Sequence, residues 1–273
     1  MTSSGSGLPA EWDEAPSGTG VPAGSVEPPS GTGVPTGSVE PPSGTGPGVI
    51  TPDGCAVELY ALLPPGGEPE IVHRAIPEGA SILELGAGAG RMTHRLLDLG
   101  HRVVAVDESP EMLERIGGAE TVQARIQALD LRRRFDAVLL ASFLVNTADR
   151  GLRRRFLQAC RRHLGDGGCV LLQRHPPAWF EEAAEGEGVA GGVSHRLRGL
   201  RRPAPGLLAA TVEYRAGDRT WTQSFTAERL DDDALAAALG EAGLDLDAYL
   251  TGDGSWVRAV PASRGAALGC SPR

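Results

Sequence analysis

A glycine-rich turn between two short apolar runs constrains the fold of this chain more than any other feature. The first run covers 82–85, glycines follow at 86, 88 and 90, and the second run, 103–106, ends at Asp107. This order predicts a strand, a tight turn, a helix and a second strand, because glycine lets the backbone turn sharply and a ligand approach closely. An acid at the end of the second strand is placed to accept hydrogen bonds from ribose hydroxyls. The segment therefore predicts a nucleoside site, with a purely structural turn as the alternative.

The spacing of the glycines narrows the class of nucleoside. A dinucleotide-binding loop has the pattern G-x-G-x-x-G, with room for a pyrophosphate at the helix N-terminus. Here the pattern is E-x-G-x-G-x-G from Glu84 to Gly90, which is one residue tighter. It resembles motif I of the class I S-adenosylmethionine (SAM) methyltransferases, whose ligand carries no phosphate. A nicotinamide-dependent oxidoreductase with a variant loop is the less favoured interpretation.

The resemblance extends over roughly residues 52–261 and implies an α/β fold built on a Rossmann-like seven-stranded methyltransferase sheet. Apolar strand-like runs alternate with amphipathic helical segments through this range, as expected for a sheet flanked by helices. Three further strand-like runs follow the fifth strand, at 195–202, 207–215 and 219–225. We expect them to form an antiparallel β insertion, 176–226, that covers the substrate as in small-molecule members of the family.

The first forty-eight residues differ in composition from the rest of the chain. A thirteen-residue unit at 16–28 is repeated at 29–41 with one change, at Thr36, and a third copy begins at Pro42 and breaks off. Each unit offers two valines as its only sizeable apolar side chains, so it cannot bury enough surface to offset the entropy lost on ordering. We therefore expect a disordered Pro/Gly/Ser repeat tail at 1–48, a methyltransferase domain at 49–261 and a flexible C-terminal tail at 262–273.

The resemblance also assigns cofactor contacts to individual positions. Glu84 and the three glycines would surround the methionine part of SAM, and Asp107 would hold the ribose diol with Glu108 beside it. Relatives often bind the adenine amino group with an acid after the third strand. Here Arg125 stands at that position, which leaves the backbone amide of Ile126 to meet the ring, with Gln127 or Asp130 as alternative side-chain partners.

Two more residues complete the expected cofactor site. Tyr60 matches a tyrosine that often closes over the methionine end, although an aromatic residue there also serves as packing. Ser142 follows the fourth strand of the expected sheet. The predicted cofactor-binding set is Tyr60, Glu84, Gly86, Gly88, Gly90, Asp107, Glu108, Arg125, Ile126 and Ser142.

The reacting centre is expected above the carboxyl ends of strands four and five, because open sheets of this topology bind ligands there. His175 follows strand five and is the candidate catalytic base for a hydroxyl or carbon acceptor; the alternative is a histidine that hydrogen-bonds a loop carbonyl. Asn146 suits either a polar acceptor or a local turn cap. The predicted substrate-binding set is Phe143, Asn146, Trp179, Phe180, Tyr214 and Trp221, each of which also suits a position in the core.

Charge and composition exclude several partner classes. A formal charge of −9 argues against nucleic acid, which requires a basic surface. The sequence also lacks an N-P-P-Y type motif and a Pro-Cys dipeptide, features of amino-directed and cytosine C5 nucleic-acid methyltransferases. The four cysteines and six histidines have no metal-ligand spacing, and no run is long enough to span a bilayer. We therefore expect a cytoplasmic protein with a small-molecule partner and no metal, nucleic acid or membrane partner.

These observations favour methyl transfer from SAM to a small-molecule acceptor, in specialised metabolism. A SAM-binding regulator or scaffold without catalysis uses the same fold and is the alternative. An NAD(P)-dependent oxidoreductase is disfavoured by the glycine spacing.

Overall fold

Two β-sheets organise residues 41–262, the part of the chain that the computed structural model describes. Of the predicted tails, 1–48 and 262–273, residues 1–40 and 263–273 lie outside the described residues. In chain order, the strands are β1 (Ser43–Thr45), β2 (Ser81–Leu85), β3 (Arg102–Asp107), β4 (Glu120–Gln123), β5 (Phe135–Leu140), β6 (Leu164–Gln173), β7 (Gly186–Ala190), β8 (Val193–Arg201), β9 (Leu207–Ala216), β10 (Arg219–Glu228), β11 (Leu244–Tyr249) and β12 (Trp256–Pro261).

The larger sheet has the strand order β11-β12-β6-β5-β2-β3-β4. Strands β2 to β6 pair parallel with one another, whereas β12 pairs antiparallel with β6 and β11 pairs antiparallel with β12. The predicted Rossmann-like seven-stranded methyltransferase sheet is therefore confirmed. The order reverses between β2 and β5, so the carboxyl ends of these two strands border the crevice in which such sheets bind ligands.

The helices are α1 (Val57–Tyr60), α2 (Glu68–Ala75), α3 (Arg91–Asp98), α4 (Pro110–Leu113), α5 (Arg150–Arg162), α6 (Trp179–Glu182) and α7 (Asp232–Glu241). Local sequence explains where several of them begin. The side chains of Ser109, Asp149 and Asp231 accept hydrogen bonds from the first free backbone amides of α4, α5 and α7.

The core lies on both faces of the larger sheet. Along β5, Val138 and Leu140 join one apolar cluster, which includes Phe156 of α5, while Ala137 and Leu139 join the cluster on the opposite face. The nearly continuous apolar sequence of β5 matches this double burial, because a strand covered on both faces needs apolar residues at every position.

The smaller sheet has the strand order β1-β10-β9-β8-β7, and every pairing in it is antiparallel. Strands β8, β9 and β10 correspond to the three strand-like runs of the predicted insertion. The sequence analysis did not predict β7, whose two glycines, at 186 and 188, are uncommon within strands. Gly188 lies opposite His195, and a Cβ at Gly188 would approach the imidazole to 2.8 Å, so the glycine leaves space for that ring.

Strand β1 corrects the predicted end of the repeat tail. The tail was expected to reach residue 48, but Ser43–Thr45, within the third copy of the repeat, pair with β10. The side-chain oxygens of Thr45 and Thr222 lie 2.6 Å apart, and the indole Nε1 of Trp221 donates to the carbonyl oxygen of Pro47 at 2.9 Å. The edge of a neighbouring strand therefore supplies the bonds that the repeat cannot make within itself.

Candidate active site

The glycine-rich loop is fixed against the carboxyl end of β3. The backbone amides of Gly86 and Ala87 donate to the carbonyl oxygen of Val106 at 2.8 and 2.9 Å. Gly88 and Gly90 have φ angles of 55° and 86°, in the left-handed region, and Gly90 forms the N-terminal cap of α3. The predicted turn therefore forms, and it brings the end of β2 beside the end of β3.

Asp107 lies at the centre of this junction. Its two carboxylate oxygens accept hydrogen bonds from the backbone amides of Gly88, at 2.8 Å, and Ser109, at 3.0 Å. Burial raises the pKa of the carboxyl, and these two hydrogen bonds act in the opposite direction. Each oxygen keeps a second lone pair, so the oriented carboxylate has the acceptors that a ribose diol requires.

Glu84 is a buried acid beneath the loop. It is 3% exposed, and its Oε2 accepts a hydrogen bond from the hydroxyl of Thr93 at 2.6 Å. Burial raises its pKa to about 7, against the lowering effects of Thr93 and of the positive charge of Arg91. At neutral pH the group is therefore close to half ionised, and a nearby ammonium would favour the carboxylate form.

Tyr60 links the loop to the smaller sheet. A Cβ at Gly88 would lie 3.9 Å from the ring of Tyr60, and the Tyr60 hydroxyl donates to the side-chain oxygen of Gln223, on β10, at 3.0 Å. Gln223 in turn donates to the thiol sulfur of Cys55 at 3.1 Å. Burial raises the pKa of Tyr60 and raises that of Cys55 to about 12, so both groups stay protonated and act through hydrogen bonds.

The predicted adenine side is bordered by apolar side chains and one ion pair. Arg125 and Glu108 lie 3.1 Å apart, and Arg125 is 67% exposed, so the two side chains pair at the rim. A Cβ at Gly86 would contact Ile126 at 3.7 Å and Leu144 at 2.8 Å. A side chain at Gly86 would therefore fill the space in front of these two aliphatic groups.

Three rings form a stack above the carboxyl ends of β5 and β6. The centroid of His175 lies 4.0 Å from that of Phe143 on one side and 4.0 Å from that of Trp179 on the other, with interplanar angles of 5° and 9°. The ring of Phe180 contacts both His175 and Trp179 edge-on. Burial lowers the pKa of His175 to about 3, so the imidazole is neutral at physiological pH.

The backbone before this aromatic stack (Phe143, His175 and Trp179) has an uncommon conformation. Ser142 and Phe143 have φ angles of 54° and 58°, a region that residues with a Cβ seldom occupy. The side-chain oxygen of Gln173, at the end of β6, accepts the amide hydrogen of Ser142 at 2.8 Å and so holds the turn. Such a turn is often retained where it orients a functional side chain, here Phe143.

Two residues of the predicted substrate-binding set do not face this crevice. Asn146 is 1% exposed; its oxygen accepts the amide hydrogen of His175 and its nitrogen donates to the carbonyl oxygen of Glu228. Trp221 is also 1% exposed and packs against Gly46. The polar groups of both side chains are engaged within the chain. Asn146 links the segment after β6 to the end of β10, and Trp221 contacts the residues that follow β1.

The structure places the other predicted residues around a shared region. Tyr60, Glu84, the three glycines and Asp107 lie at the loop, and Phe143, Trp179 and Phe180 lie at the aromatic stack. Tyr214 is buried in a cluster with Trp221 and Leu59, near Cys55.

Known methyltransferases resemble this chain in sequence and in fold. A methyltransferase-domain family matches residues 82–168. Over 187 residues, the chain is 29% identical to the cypemycin N-terminal methyltransferase of Streptomyces sp, which covers 65% of this chain and 66% of that protein. The matched segment and the fold are those of the class I SAM-dependent methyltransferases.

Two other similarities show how far this relationship extends. An uncharacterized methyltransferase of Mycobacterium tuberculosis is 45% identical over 62 residues, which are 22% of this chain and 26% of that protein. The sugar N-methyltransferase KedS8 from Streptoalloteichus sp has the same fold, with a TM-score of 0.60 and 22% identity over 72% of this chain and 87% of that chain. The segment that matches this chain spans about two thirds of the cypemycin enzyme and about a quarter of the mycobacterial protein.

SAM is the cofactor of this family, and the loop of this methyltransferase fits it. Asp107 presents two oriented carboxylate oxygens to a diol, and the buried acid Glu84 suits the ammonium of a methionine moiety. Within residues 41–262, no group of three or more metal-ligating side chains occurs, and no helix has the length and apolar character needed to cross a membrane.

Sequence reasoning missed Gln223, Cys55, Gln173 and Leu144. Gln223 and Cys55 meet through a contact between distant segments, which no local motif identifies, whereas Leu144 and Gln173 lie within two residues of the predicted Phe143 and His175. The sequence held one signal for Gln223. Trp221, Gln223 and Phe225 lie two residues apart on β10, so their side chains share one face of the smaller sheet.

Proposed function

We propose that this methyltransferase transfers the methyl group of SAM to an amino group of a small molecule or a short peptide in specialised metabolism. The cypemycin enzyme is named an N-terminal methyltransferase and KedS8 a sugar N-methyltransferase, which supports an amine acceptor. The proposal assigns the loop half of the site to SAM and the aromatic stack to the acceptor.

The observation that carries the proposal is the stack of Phe143, His175 and Trp179 around a neutral imidazole. A conjugate acid with a pKa near 3 makes His175 a weak base at neutral pH, so it does not suit deprotonation of a hydroxyl. A neutral amine needs no such base, because its lone pair attacks directly. The developing positive charge then lies beside aromatic faces, which attract cations.

The reaction balances without a redox partner. The amine lone pair forms the new N–C bond as the C–S bond of SAM breaks, and that bond's electron pair goes to sulfur. SAM supplies the activated methyl group, and the amine nitrogen becomes a cation that releases a proton to water. The residues of the chain contribute alignment and the exclusion of water, which are the main contributions available to an in-line displacement.

The smaller sheet has a defined part in this proposal. Gln223 joins β10 to Tyr60, and Phe225 of the same strand stacks on Trp179 with a centroid distance of 6.5 Å. One strand therefore contacts both the cofactor loop and the aromatic stack. The sheet accordingly covers the acceptor and fixes the relative position of the two substrates.

The test uses methyl-labelled SAM with matched acceptors that differ in one group: an amino sugar, its hydroxyl analogue, a peptide with a free N-terminus and its acetylated form. We expect label in the free amines and formation of S-adenosylhomocysteine, with no label in the hydroxyl and acetylated compounds. Label only in hydroxyl compounds would overturn the choice of amine. SAM binding without turnover of any compound would favour the non-catalytic alternative.

A pair of variants tests the assignment of the stack. Trp179→Ala removes one face of the stack, so we expect a higher acceptor KM or a lower kcat with SAM affinity close to wild type. Val189→Thr changes a 63% exposed residue on β7 and is the matched control. Equal losses of SAM affinity and acceptor turnover in Trp179→Ala would indicate general disruption of the fold.

A further inference from the structure

Helix α6 carries two rings of the acceptor side, Trp179 and Phe180, and is only one turn long. A single turn is not stable by itself, because nucleation fixes several residues for one hydrogen bond. The two rings therefore keep their positions against His175 only if contacts from elsewhere hold the helix. The ring contacts supply one set. The carboxyl end of the helix requires another, since its last carbonyl groups have no partner within one turn.

Arg202 supplies the contacts at the carboxyl end of α6. It follows β8 directly, and its Nε and Nη2 donate to the carbonyl oxygen of Phe180 at 3.2 and 3.0 Å. Its Nη2 also donates to the carbonyl oxygens of Glu181, at 3.2 Å, and Ala183, at 3.4 Å. A guanidinium suits this task because its donors form a rigid planar fork. One side chain of the insertion thus binds three backbone carbonyls at the end of the helix.

A cavity of about 440 Å³ borders this end of α6. It lies between the helix and the turn 203–206, and both Arg202 and Arg229 line it. Apolar packing across the cavity therefore does not replace the hydrogen bonds of Arg202. Arg229 pairs with the side chain of Glu181 at 2.5 Å, but these side chains are 35% and 69% exposed, and so exposed an ion pair contributes little. The position of α6 thus depends chiefly on Arg202.

We propose that Arg202 is a positioning residue for acceptor recognition, and that it acts by fixing the rings of Trp179 and Phe180 against His175. The inference rests on the proposed function, in which the aromatic stack receives the acceptor. Arg202 acts through the backbone of α6 and is not a catalytic residue. A displacement of about 1 Å is enough to impair the alignment of a substrate, so a loosened helix weakens recognition even when the rings remain present.

The first experiment measures the environment of Trp179 without an acceptor. Acrylamide quenching of Trp179 fluorescence is obtained by subtracting the signal of the matching Trp179→Phe protein. Arg202→Gln should raise the quenching constant about threefold, because a released helix opens locally and exposes a side chain that is 9% exposed in the structure. Arg229→Gln is the matched control from the same cavity. It should leave quenching unchanged, since it breaks only the exposed ion pair.

The second experiment measures kinetics with any compound that the wild-type enzyme methylates. Arg202→Gln should raise the acceptor KM about tenfold, because the hydrogen bonds of a charged group are lost. The Kd for SAM, from calorimetry, should stay within about twofold of the wild-type value. Arg202→Lys should recover part of the loss, since an ammonium still donates to a carbonyl oxygen but lacks the fork. A merely structural role would lower the apparent kcat and leave the acceptor KM unchanged.

These readouts distinguish failure of the inference from failure of the proposed function. Wild-type quenching in a folded Arg202→Gln protein, or increased quenching with an unchanged acceptor KM, would overturn the positioning role for any acceptor. Equal effects of Arg202→Gln and Arg229→Gln would also overturn it, because general loosening around the cavity would then be the cause. Failure of the proposed function is seen instead as label in hydroxyl compounds only or in no compound. If no compound is methylated, the quenching result decides the role of Arg202.

Discussion

The two sheets of this methyltransferase reach the active site by different means. In the larger sheet, the cofactor loop, the buried strand β2 and Asp107 lie within one stretch of 26 residues, 82–107, and are held by backbone hydrogen bonds. On the acceptor side, the groups that border the site come from α6 and from β10 of the smaller sheet, which are far apart in the chain. The cofactor half is thus a local structure, whereas the acceptor half exists only when distant segments pack.

This difference predicts how substitutions behave. A change at the loop should alter SAM binding and leave acceptor recognition in place, because the loop geometry is set by its own neighbours. A change in the aromatic stack or at Tyr60 should alter the relationship between the two substrates. The predictions below test whether the halves are as separable as the structure indicates.

The largest effect is expected from Asp107→Ala. The substitution removes a charged acceptor for two ribose hydroxyls, so SAM affinity should fall by about 1–3 kcal/mol. Titration calorimetry measures this directly, with Glu120→Gln, at an exposed acid that begins β4, as the control. SAM affinity that is unchanged in a folded Asp107→Ala protein would contradict the cofactor assignment.

His175→Ala should have the next largest effect. Removing the central ring abolishes two stacking contacts, each worth about 0.5–1.5 kcal/mol, and we expect acceptor kcat/KM to fall roughly tenfold. His175→Phe keeps a flat ring and should retain most of the activity. Because the pKa of His175 is about 3, the imidazole is neutral throughout pH 6–9, and its contribution should not vary in that range.

Single-turnover rates decide the role of His175. A loss of about 10²-fold or more in His175→Phe, with a pH-dependent rate in the wild type, would restore the general base that the sequence analysis expected. Equal rates in the phenylalanine variant and the wild type would assign the residue to alignment of the acceptor.

Glu84 predicts a pH dependence of SAM binding. Burial raises its pKa to about 7, so the group is mostly protonated at pH 5.5 and mostly ionised at pH 7.5. The ammonium of SAM favours the ionised form, so binding releases a proton and the Kd should fall roughly tenfold as pH rises through this interval. Glu84→Gln should bind SAM with a Kd independent of pH, and a flat wild-type profile would place Glu84 away from the ammonium.

Tyr60→Phe should produce a smaller effect that spans both halves. It removes only the hydrogen bond to Gln223, worth about 0.5–1.5 kcal/mol, so the KM for SAM should rise by a fewfold. Gln223→Leu removes the same bond from the β10 side and should give a similar value. The double variant should be no worse than either single one, and additive losses would show that the two residues act independently.

The same contrast explains what could be predicted from the sequence. The loop, the strand order implied by the family and the position of Asp107 were all accessible, because they depend on a contiguous motif and on apolar runs buried on both faces. The roles of Asn146 and Trp221 were not, since a buried asparagine that links two backbones has the same sequence appearance as a ligand-binding one. The low pKa of His175 was equally hidden, because it arises from the packing of Phe143 and Trp179 around the ring.

The smallest effects concern the repeats, where the position of the deletion matters more than its length. Removing residues 1–40 should leave the melting temperature and SAM affinity nearly unchanged, because the repeat units contain no core-forming side chains beyond valine. Removing residues 1–48 also deletes β1 and the carbonyl partner of Trp221, which should cost about 1 kcal/mol and lower the melting temperature by about 2–4 °C. Calorimetric scans of the two truncated proteins beside the full chain measure the difference. Identical melting temperatures for both truncations would mean that β1 adds nothing to the smaller sheet, and the sheet would then be as self-sufficient as the cofactor loop.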